Sequence, residues 1–172
     1  MFSKILVPVD GSEISNRGLA EAIKMTTTLG SRLYLVHIVN ELIPDFSFGS
    51  AQYVTALMDS TREQGKAVLA QAGAEARKYG VPARTDLLET IGDRTADLIV
   101  GHAKKIGAEL IVMGTHGRRG LRRLTLGSDA EQVVRLAEVP VLLIRGEETS
   151  DVDSLCLTGK PATTVAANCE LG

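Results

Sequence analysis

Apolar residues along the chain form five short runs, separated by longer stretches in which they recur at helical spacing. The runs occupy residues 4–10, 32–39, 83–90, 108–114 and 140–145. Four of them are almost continuously apolar, which is typical of strands buried on both faces of a sheet, whereas the third, ARTDLLET, has the weakest pattern. We expect one strand from each run.

The longer stretches place apolar residues on one face of a helix, so we expect helices there. Gly30 follows the first stretch and provides a C-terminal stop. Gly65 and Gly73 lie inside the second, where each glycine lowers helix propensity by roughly 1 kcal/mol. The predicted helices cover residues 12–29, 51–79, 93–106 and 128–137.

Regular alternation of strands and helices predicts an α/β fold, an open five-stranded parallel sheet with helices on both faces. Right-handed crossovers cover both faces only where the chain reverses direction within the sheet, and the cleft at that reversal is the default ligand site. This cleft lies at the rim formed by the carboxyl ends of the strands. We place the domain at residues 1–146 and predict a disordered tail at residues 147–172, which have no sustained apolar period.

Composition narrows the classes of function. The formal net charge is -2 and aromatic residues make up 3% of the chain, so no nucleic-acid partner is expected. No apolar stretch is long enough to cross a bilayer, and the first residues, MFSKILVPVDGS, lack the regions of a signal peptide. The two cysteines lie in the tail and form neither a disulfide framework nor a zinc site. We therefore predict a cytoplasmic protein without membrane insertion.

The segment GTHGRRGLRRLTLGS, residues 114–128, follows the fourth run and so belongs to the rim. It contains neither GxxxxGK[ST] nor GxGxxG. Gly114 and Gly117 can adopt positive φ and let a ligand approach the backbone. Gly127 and Ser128 open a helix whose N-terminus favours an anion, and nearby arginines can reach a phosphate. One interpretation of the segment is therefore a phosphate cradle.

A second interpretation stays open for the same residues. Ser128 and Glu131 have the S-x-x-E spacing of a capping box, in which Ser128 would accept from its own helix and Glu131 would reach back. The segment would then be a basic surface turn that starts a helix. The two interpretations are compatible if Ser128 caps the helix when no phosphate is bound.

Other rim residues also have two interpretations. Asp10 ends the first run and can bind a ribose hydroxyl or a metal-bound water, or it can form an Asx turn with the following Gly-Ser. Phe46 and Phe48 follow the second run and either cover the cleft or pack on the long helix. The three histidines have no metal-binding spacing and no GxSxG elbow supplies a nucleophile, so we predict no catalytic residue.

These segments resemble the universal stress protein family, whose ATP-binding members carry G-2x-G-9x-G-[ST]. Residues 114–128 match that pattern at every stated position. KILVPVDGS, LYLVHIV and VPVLLIR resemble the family's first strand and turn, its second strand and its last strand. The resemblance extends from residue 2 to residue 145 and implies the family's fold with ATP as the cofactor.

The resemblance also implies a pocket for the nucleotide. Pro8, Val9 and Asp10 would lie beside the nucleoside, with Asp10 near the ribose and near a water-mediated metal ion, and Ile38 would meet the adenine through its backbone. Around the ribose and phosphates the resemblance places Gly114, Thr115, His116, Gly117, Arg118, Arg119 and Gly120, and around the phosphate tail Gly127, Ser128, Asp129 and Ala130.

Asp129 departs from the family, which commonly has an uncharged residue such as valine after the Gly-Ser pair. A carboxylate there would repel a triphosphate unless a divalent cation binds or the side chain turns to solvent. The implied cofactor remains ATP, which Mg²⁺ can accompany, and the alternatives left open by Asp129 are a weaker affinity for ATP and a smaller anionic ligand.

The last run, residues 140–145, is expected to be an open apolar edge that pairs with a second copy, and the resemblance likewise implies a homodimer through this strand. The function predicted is that of an ATP-binding regulatory module in the stress response, whose nucleotide state biases unidentified protein partners. The alternatives are a nucleotide-free dimeric interaction protein and, at most, a slow ATPase.

Overall fold

The computed structural model describes residues 2–40, 51–116 and 126–145. Several residues of the sequence predictions lie outside this part of the chain. They are Phe46, Phe48, Gly117, Arg118, Arg119 and Gly120, together with the predicted tail at residues 147–172.

The described residues form five strands, one from each apolar run. They are β1 (Lys4–Pro8), β2 (Arg32–Asn40), β3 (Ala83–Thr90), β4 (Leu110–Gly114) and β5 (Val141–Ile144). Neighbouring strands pair in parallel, in the spatial order β3-β2-β1-β4-β5. The predicted five-stranded parallel sheet is confirmed.

Four helices within the described residues connect these strands. They are α1 (Glu13–Leu29), α2 (Ala51–Lys78), α3 (Thr95–Ile106) and α4 (Ser128–Leu136). The helix α1 ends at Gly30, whose φ of 67° lies in the left-handed region that favours glycine, so the predicted stop is confirmed.

Apolar side chains of the sheet alternate between two cores, one on each face. The helices α1 and α2 cover the face that carries Val7 and Leu35. The helices α3 and α4 cover the opposite face, which carries Leu6 and Ile111. All four of these strand residues are 0% exposed, as expected for a parallel sheet between two helical layers.

The strand order reverses between β1 and β4. The chain runs outward from β1 through β2 to β3, and α3 then returns it to β4 on the other side of β1. The connections that leave β1 and β4 therefore diverge, one to each face of the sheet, and open the cleft that such a reversal creates.

The two edges of the sheet are β3 and β5. Within the described residues β5 pairs with β4 alone, so it is an edge strand, as expected for the last run. The prediction that this run is buried on both faces is wrong, as the exposure of its side chains shows. Leu142 of β5 is 37% exposed, and the other residues of the strand are half-buried.

None of the helices among the described residues has both the length and the apolarity of a membrane span.

Candidate functional site

The carboxyl ends of β1 and β4 lie side by side in the middle of the sheet. Just beyond each of these strands, the backbone is hydrogen-bonded to the strand on its outer side, which is β2 for β1 and β5 for β4. Val9 N donates to Val36 O at 2.8 Å, and Thr115 N donates to Ile144 O at 2.9 Å. The predicted site residues that follow these two strands are thus brought together at the rim.

Asp10 closes the turn between β1 and α1. Its Oδ1 accepts from Ser12 N at 2.9 Å, and its own N–H donates to Ser15 Oγ at 3.2 Å. Gly11 between them has a φ of 80°. The Asx-turn interpretation is confirmed, and the turn holds the Asp10 carboxyl group at the end of β1. Ser12 in turn caps α1, because its Oγ accepts from Ser15 N at 3.2 Å.

Gly114 supports helix packing rather than an unusual backbone conformation. A Cβ there would lie 2.8 Å from Ile14 Cγ2 and 3.2 Å from the Ile14 carbonyl carbon, so glycine lets α1 pack against the end of β4. The prediction of positive φ at Gly114 is wrong, because it ends an extended strand. The described glycines with positive φ are Gly11, Gly30, Gly80, Gly92 and Gly107.

Thr115 and His116 lie against the start of α4. Gly127 N donates to Thr115 O at 2.9 Å, and a Cβ at Gly127 would lie only 3.0 Å from that oxygen. His116 Nδ1 lies 3.1 Å from Thr115 Oγ1. Its Nε2 is buried and has no hydrogen-bond partner among the described residues. A buried imidazole nitrogen in this position is a group that a bound ligand can satisfy.

The predicted capping box at the start of α4 is wrong. The N-cap is Gly127, with φ -64° and ψ 147°, and no side chain of the described residues caps the helix. Because the helix starts one residue earlier than a Ser128 cap requires, Ser128 is its first residue and Glu131 its fourth. Glu131 N donates to Gly127 O, and its carboxylate lies 3.6 Å from the Arg135 guanidinium.

The remaining predicted site residues differ in exposure. Ser128 and Asp129 are exposed, so the Asp129 carboxylate reaches solvent, whereas Ala130 is buried. Pro8 is half-buried at the end of β1. Ile38 is half-buried in β2 and packs with the core under α3 and α4.

Two buried histidines make contacts that sequence reasoning missed. His37 Nδ1 lies 2.6 Å from Val9 O, and His102 Nε2 lies 3.2 Å from Asp86 Oδ2. The signal in the sequence is a single histidine inside an apolar run or on an apolar helix face. The partners belong to other elements, so spacing along the chain does not reveal them.

The described residues contain no group of three or more His, Cys, Asp or Glu side chains arranged to hold a metal ion. Two surface clefts lie at the opposite end of the sheet from the rim. The more apolar one is lined by Val100, Ala103, Lys104, Ala108, Ile111, Ala137, Glu138 and Val139, and the more polar one by Thr26, Thr27, Ser31, Tyr79, Gly80, Val81 and Pro82.

The fold and the rim together define a doubly wound α/β protein whose strand order reverses beside the N-terminus of α4. The sequence model of the universal stress protein family matches residues 1–145. The chain belongs to this family, as its resemblance to the family's motifs predicts.

Individual relatives agree with this assignment. A universal stress protein of Methanocaldococcus jannaschii is 34% identical over 148 residues, which cover 84% of this chain and 83% of the relative. The crystal structure of a family member from Burkholderia pseudomallei is 34% identical, with a TM-score of 0.66, and the match covers 83% of this chain and 95% of that one.

A third relative was solved with a nucleotide. It is the universal stress protein from Archaeoglobus fulgidus in complex with dAMP. Its TM-score to this chain is 0.60 at 27% sequence identity, and the match covers 82% of this chain and 96% of that one.

Proposed function

We propose that this universal stress protein binds ATP, with Mg²⁺, at the rim between the ends of β1 and β4 and the N-terminus of α4. In this proposal it acts as a nucleotide-dependent regulatory module in the stress response. The observation that carries the proposal is the N-terminus of α4, which lies at the reversal of strand order and has the glycine Gly127 as its N-cap, with no side-chain cap among the described residues.

The helix α1 differs from α4 in how the N–H groups of its first turn are hydrogen-bonded. Both helices start at the rim, one after β1 and one after β4. The first turn of α1 is satisfied by Ser12, whose Oγ accepts from Ser15 N. The first turn of α4 has no such partner among the described residues, and a helix N-terminus of this kind favours an anion through its N–H groups and the positive end of the helix dipole. The helix α3 also lacks a side-chain cap, but it starts after the edge strand β3. The position of α4 beside the reversal of strand order therefore favours α4 for the phosphate tail.

The phosphate end of the proposed site consists of residues that flank the start of α4. Gly127 leaves no room for a side chain beside Thr115 O. The buried His116 Nε2 lacks a protein partner among the described residues, so an oxygen of the ligand can bond to it. We assign Gly114, Thr115, His116, Gly127, Ser128, Asp129 and Ala130 to this end, together with Gly117, Arg118, Arg119 and Gly120 beyond the described residues.

The nucleoside end of the proposed site lies at β1 and β2. Pro8, Val9 and Asp10 follow one another at the end of β1, and Ile38 lies in the adjacent strand. The Asx turn holds the Asp10 carboxyl group where it can meet a ribose hydroxyl or a water on the metal ion. The relative solved with dAMP supports an adenine nucleotide as the ligand class.

The carboxylate of Asp129 is expected to lower the affinity for ATP. Its carboxylate lies in the first turn of α4, where it would repel a triphosphate, but it is exposed and therefore partly screened. Mg²⁺ would neutralise part of the phosphate charge. The same residue favours the alternative of a nucleotide-free interaction protein, whereas slow ATP hydrolysis would need a positioned base in addition to binding.

The assembly and location of the protein are part of the same proposal. We place the domain at residues 1–146, followed by a tail at 147–172, in a cytoplasmic homodimer that pairs through residues 140–145. The support is that β5 is an apolar edge strand with no charged residue among Val141–Ile144.

The test is calorimetric titration with ATP, with and without Mg²⁺, on wild type and Ser128→Asp. An added carboxylate at the first position of α4 should lower ATP affinity more than about tenfold while the helix dipole keeps the fold stable. Thr95→Asp is the matched control, because Thr95 is the first residue of α3, which also has no side-chain cap and follows the distant strand β3.

The two variants separate a site at α4 from a general effect of charge. Micromolar binding by wild type and by Thr95→Asp, but not by Ser128→Asp, would support the site. Folded wild-type protein that binds no ATP up to millimolar concentration would refute nucleotide binding and favour the interaction protein. Equal affinity of the two variants would refute the placement at α4.

A further inference from the structure

His37 is a buried residue of β2, 8% exposed, and its ring contacts the end of the neighbouring strand. Its Nδ1 lies 2.6 Å from the carbonyl oxygen of Val9. A carbonyl oxygen only accepts, so Nδ1 donates and must carry a proton.

Val9 is the position at which β1 leaves the sheet. The last paired position between the strands is Pro8 with Val36, and Val9 N still donates to Val36 O at 2.8 Å. The carbonyl oxygen of Val9 accepts a hydrogen bond from the His37 side chain. Both polar backbone groups of the residue before Asp10 are therefore held by β2.

The His37 ring is also held from the opposite side by α2. A Cβ at Gly65 would lie 2.8 Å from His37 Cδ2 and 2.8 Å from Leu87 Cδ1, so the backbone of α2 lies directly on the ring. The glycine lets the helix approach this closely, and the helix in turn restricts how the imidazole can rotate. The ring thus has one supported orientation, in which it bonds to Val9.

We infer that His37 is a positioning residue of the nucleotide site, which holds the Val9 carbonyl and thereby the Asp10 turn at the nucleoside end. The inference rests on the proposed function, because the nucleoside is the ligand that this end would meet. His37 lies in β2, beside the end of β1, and in this inference it acts through Val9 and not by contact with the ligand.

The test compares two substitutions of this histidine. His37→Asn keeps an N–H donor close to the position of Nδ1, whereas His37→Phe keeps a ring and removes the donor. We expect His37→Phe to weaken ATP and AMP by the same factor, about five- to tenfold for one lost hydrogen bond, and His37→Asn to stay within about threefold of wild type. Equal factors are expected because the lost contact lies at the nucleoside end.

The matched controls are His102→Phe and His102→Asn. His102 is also a buried histidine, but it contacts Asp86 of the edge strand β3 and lies on the opposite face of the sheet. Its variants should leave nucleotide affinity unchanged, while circular dichroism and melting temperature show whether each variant folds. Loss of affinity in both histidine pairs would overturn a specific role for His37.

A second measurement needs no ligand. Imidazole ¹⁵N spectra of the wild-type protein should show a protonated Nδ1 in His37. The amide resonance of Ser12, which donates to Asp10, should shift in His37→Phe and stay in place in His37→Asn. A His37 ring with a bare Nδ1 would overturn the inference.

The outcomes separate this inference from the proposed function. Wild-type protein that binds no nucleotide refutes the proposed function and removes the site that His37 would position. Wild-type binding that His37→Phe leaves unchanged overturns the inference alone. Selective loss in His37→Phe with rescue by asparagine supports both.

Discussion

Asp129 is the residue at which two electrostatic effects oppose each other. In the first turn of α4 its carboxylate interacts favourably with the helix dipole, and no other side chain in the described part of the chain caps that helix. The same carboxylate would repel phosphate oxygens bound to the free N–H groups of the turn. The residue therefore stabilises the empty helix and weakens the proposed nucleotide complex.

We expect Asp129→Asn to raise ATP affinity and lower stability in the same molecule. Removing the carboxylate should tighten ATP binding by about two- to fivefold at low salt and cost about 0.3–1 kcal/mol of unfolding free energy. Calorimetry and urea unfolding measure the two effects. Asp97→Asn is the matched control, since Asp97 lies in the first turn of α3 and should affect stability only. Unchanged affinity in Asp129→Asn would place the phosphate elsewhere.

Glu89 provides a prediction on pH dependence. Arg62 Nε and Nη2 each lie 2.6 Å from a Glu89 carboxylate oxygen, and this bidentate contact joins α2 to β3. Hydrogen bonding to Arg62 lowers the pKa of Glu89 from its ordinary 4.5. A lowered carboxyl pKa means that the contact stabilises the fold above the unfolded-state pKa and that this contribution is lost as pH falls through the folded-state pKa.

Arg62→Gln should therefore return the Glu89 pKa towards 4.5, as a carbon-detected NMR titration of the carboxyl group would show. The difference in unfolding free energy between the variant and wild type should be present at neutral pH. It should disappear as the pH falls through the folded-state pKa of Glu89, which lies below 4.5. Glu109 is an internal control, because its pKa is lowered by hydrogen bonds from Ser3 and should not respond to Arg62→Gln. A wild-type Glu89 pKa that is not lowered would contradict the contact.

At the scale of the elements, the apolar periods predict strands and helices well, because each period reflects local geometry. The boundaries are less predictable, because contacts with other elements decide them. The N-terminus of α4 shows this, since the helix begins at Ser128 as its apolar period predicts, but its N-cap is Gly127, whose N donates to Thr115 O, and not Ser128. Position 114 is a second example, because a side chain there would clash with Ile14, which belongs to a different element.

The helix α2 contains two buried glycines in different surroundings. A Cβ at Gly65 would lie within 2.8 Å of His37 Cδ2, whereas at Gly73 the nearest atoms are Arg77 Nη1 at 3.5 Å and Thr85 Cγ2 at 3.7 Å. Gly73→Ala should therefore stabilise the protein by up to about 1 kcal/mol through helix propensity. Gly65→Ala should destabilise it by about 1–3 kcal/mol through overpacking.

Urea unfolding of the two alanine variants measures this difference, and each variant serves as the control for the other. Because the substitution is identical and both sites lie in α2, propensity alone would change stability equally. Equal stabilisation of both would mean that α2 does not lie on the His37 ring as described. That result would also remove one support for the positioning role of His37.

At the scale of the whole molecule, the two edges of the sheet are unequal. The edge strand β3 carries Arg84, Asp86 and Glu89, and charged side chains of this kind oppose pairing with another chain. The other edge, β5, has the sequence VLLI. The spatial order of the strands could not be predicted from the apolar periods, since these carry no information on which strands are neighbours. The open edge at β5 is nevertheless expected from the sequence, because no apolar run follows the last one, and the observed order agrees with it.

This asymmetry predicts a dimer that depends on β5. We expect the wild-type chain to sediment at about twice its mass of 18.3 kDa and Leu142→Glu to sediment as a monomer, because a charge on the edge strand opposes pairing. Leu57→Glu is the matched control, since Leu57 is 46% exposed on α2, compared with 37% for Leu142, and should leave the dimer intact.

Sedimentation over a concentration series measures all three proteins, with circular dichroism to verify folding. A monomeric wild type at every concentration, or a dimeric Leu142→Glu variant, would show that β5 does not form the interface.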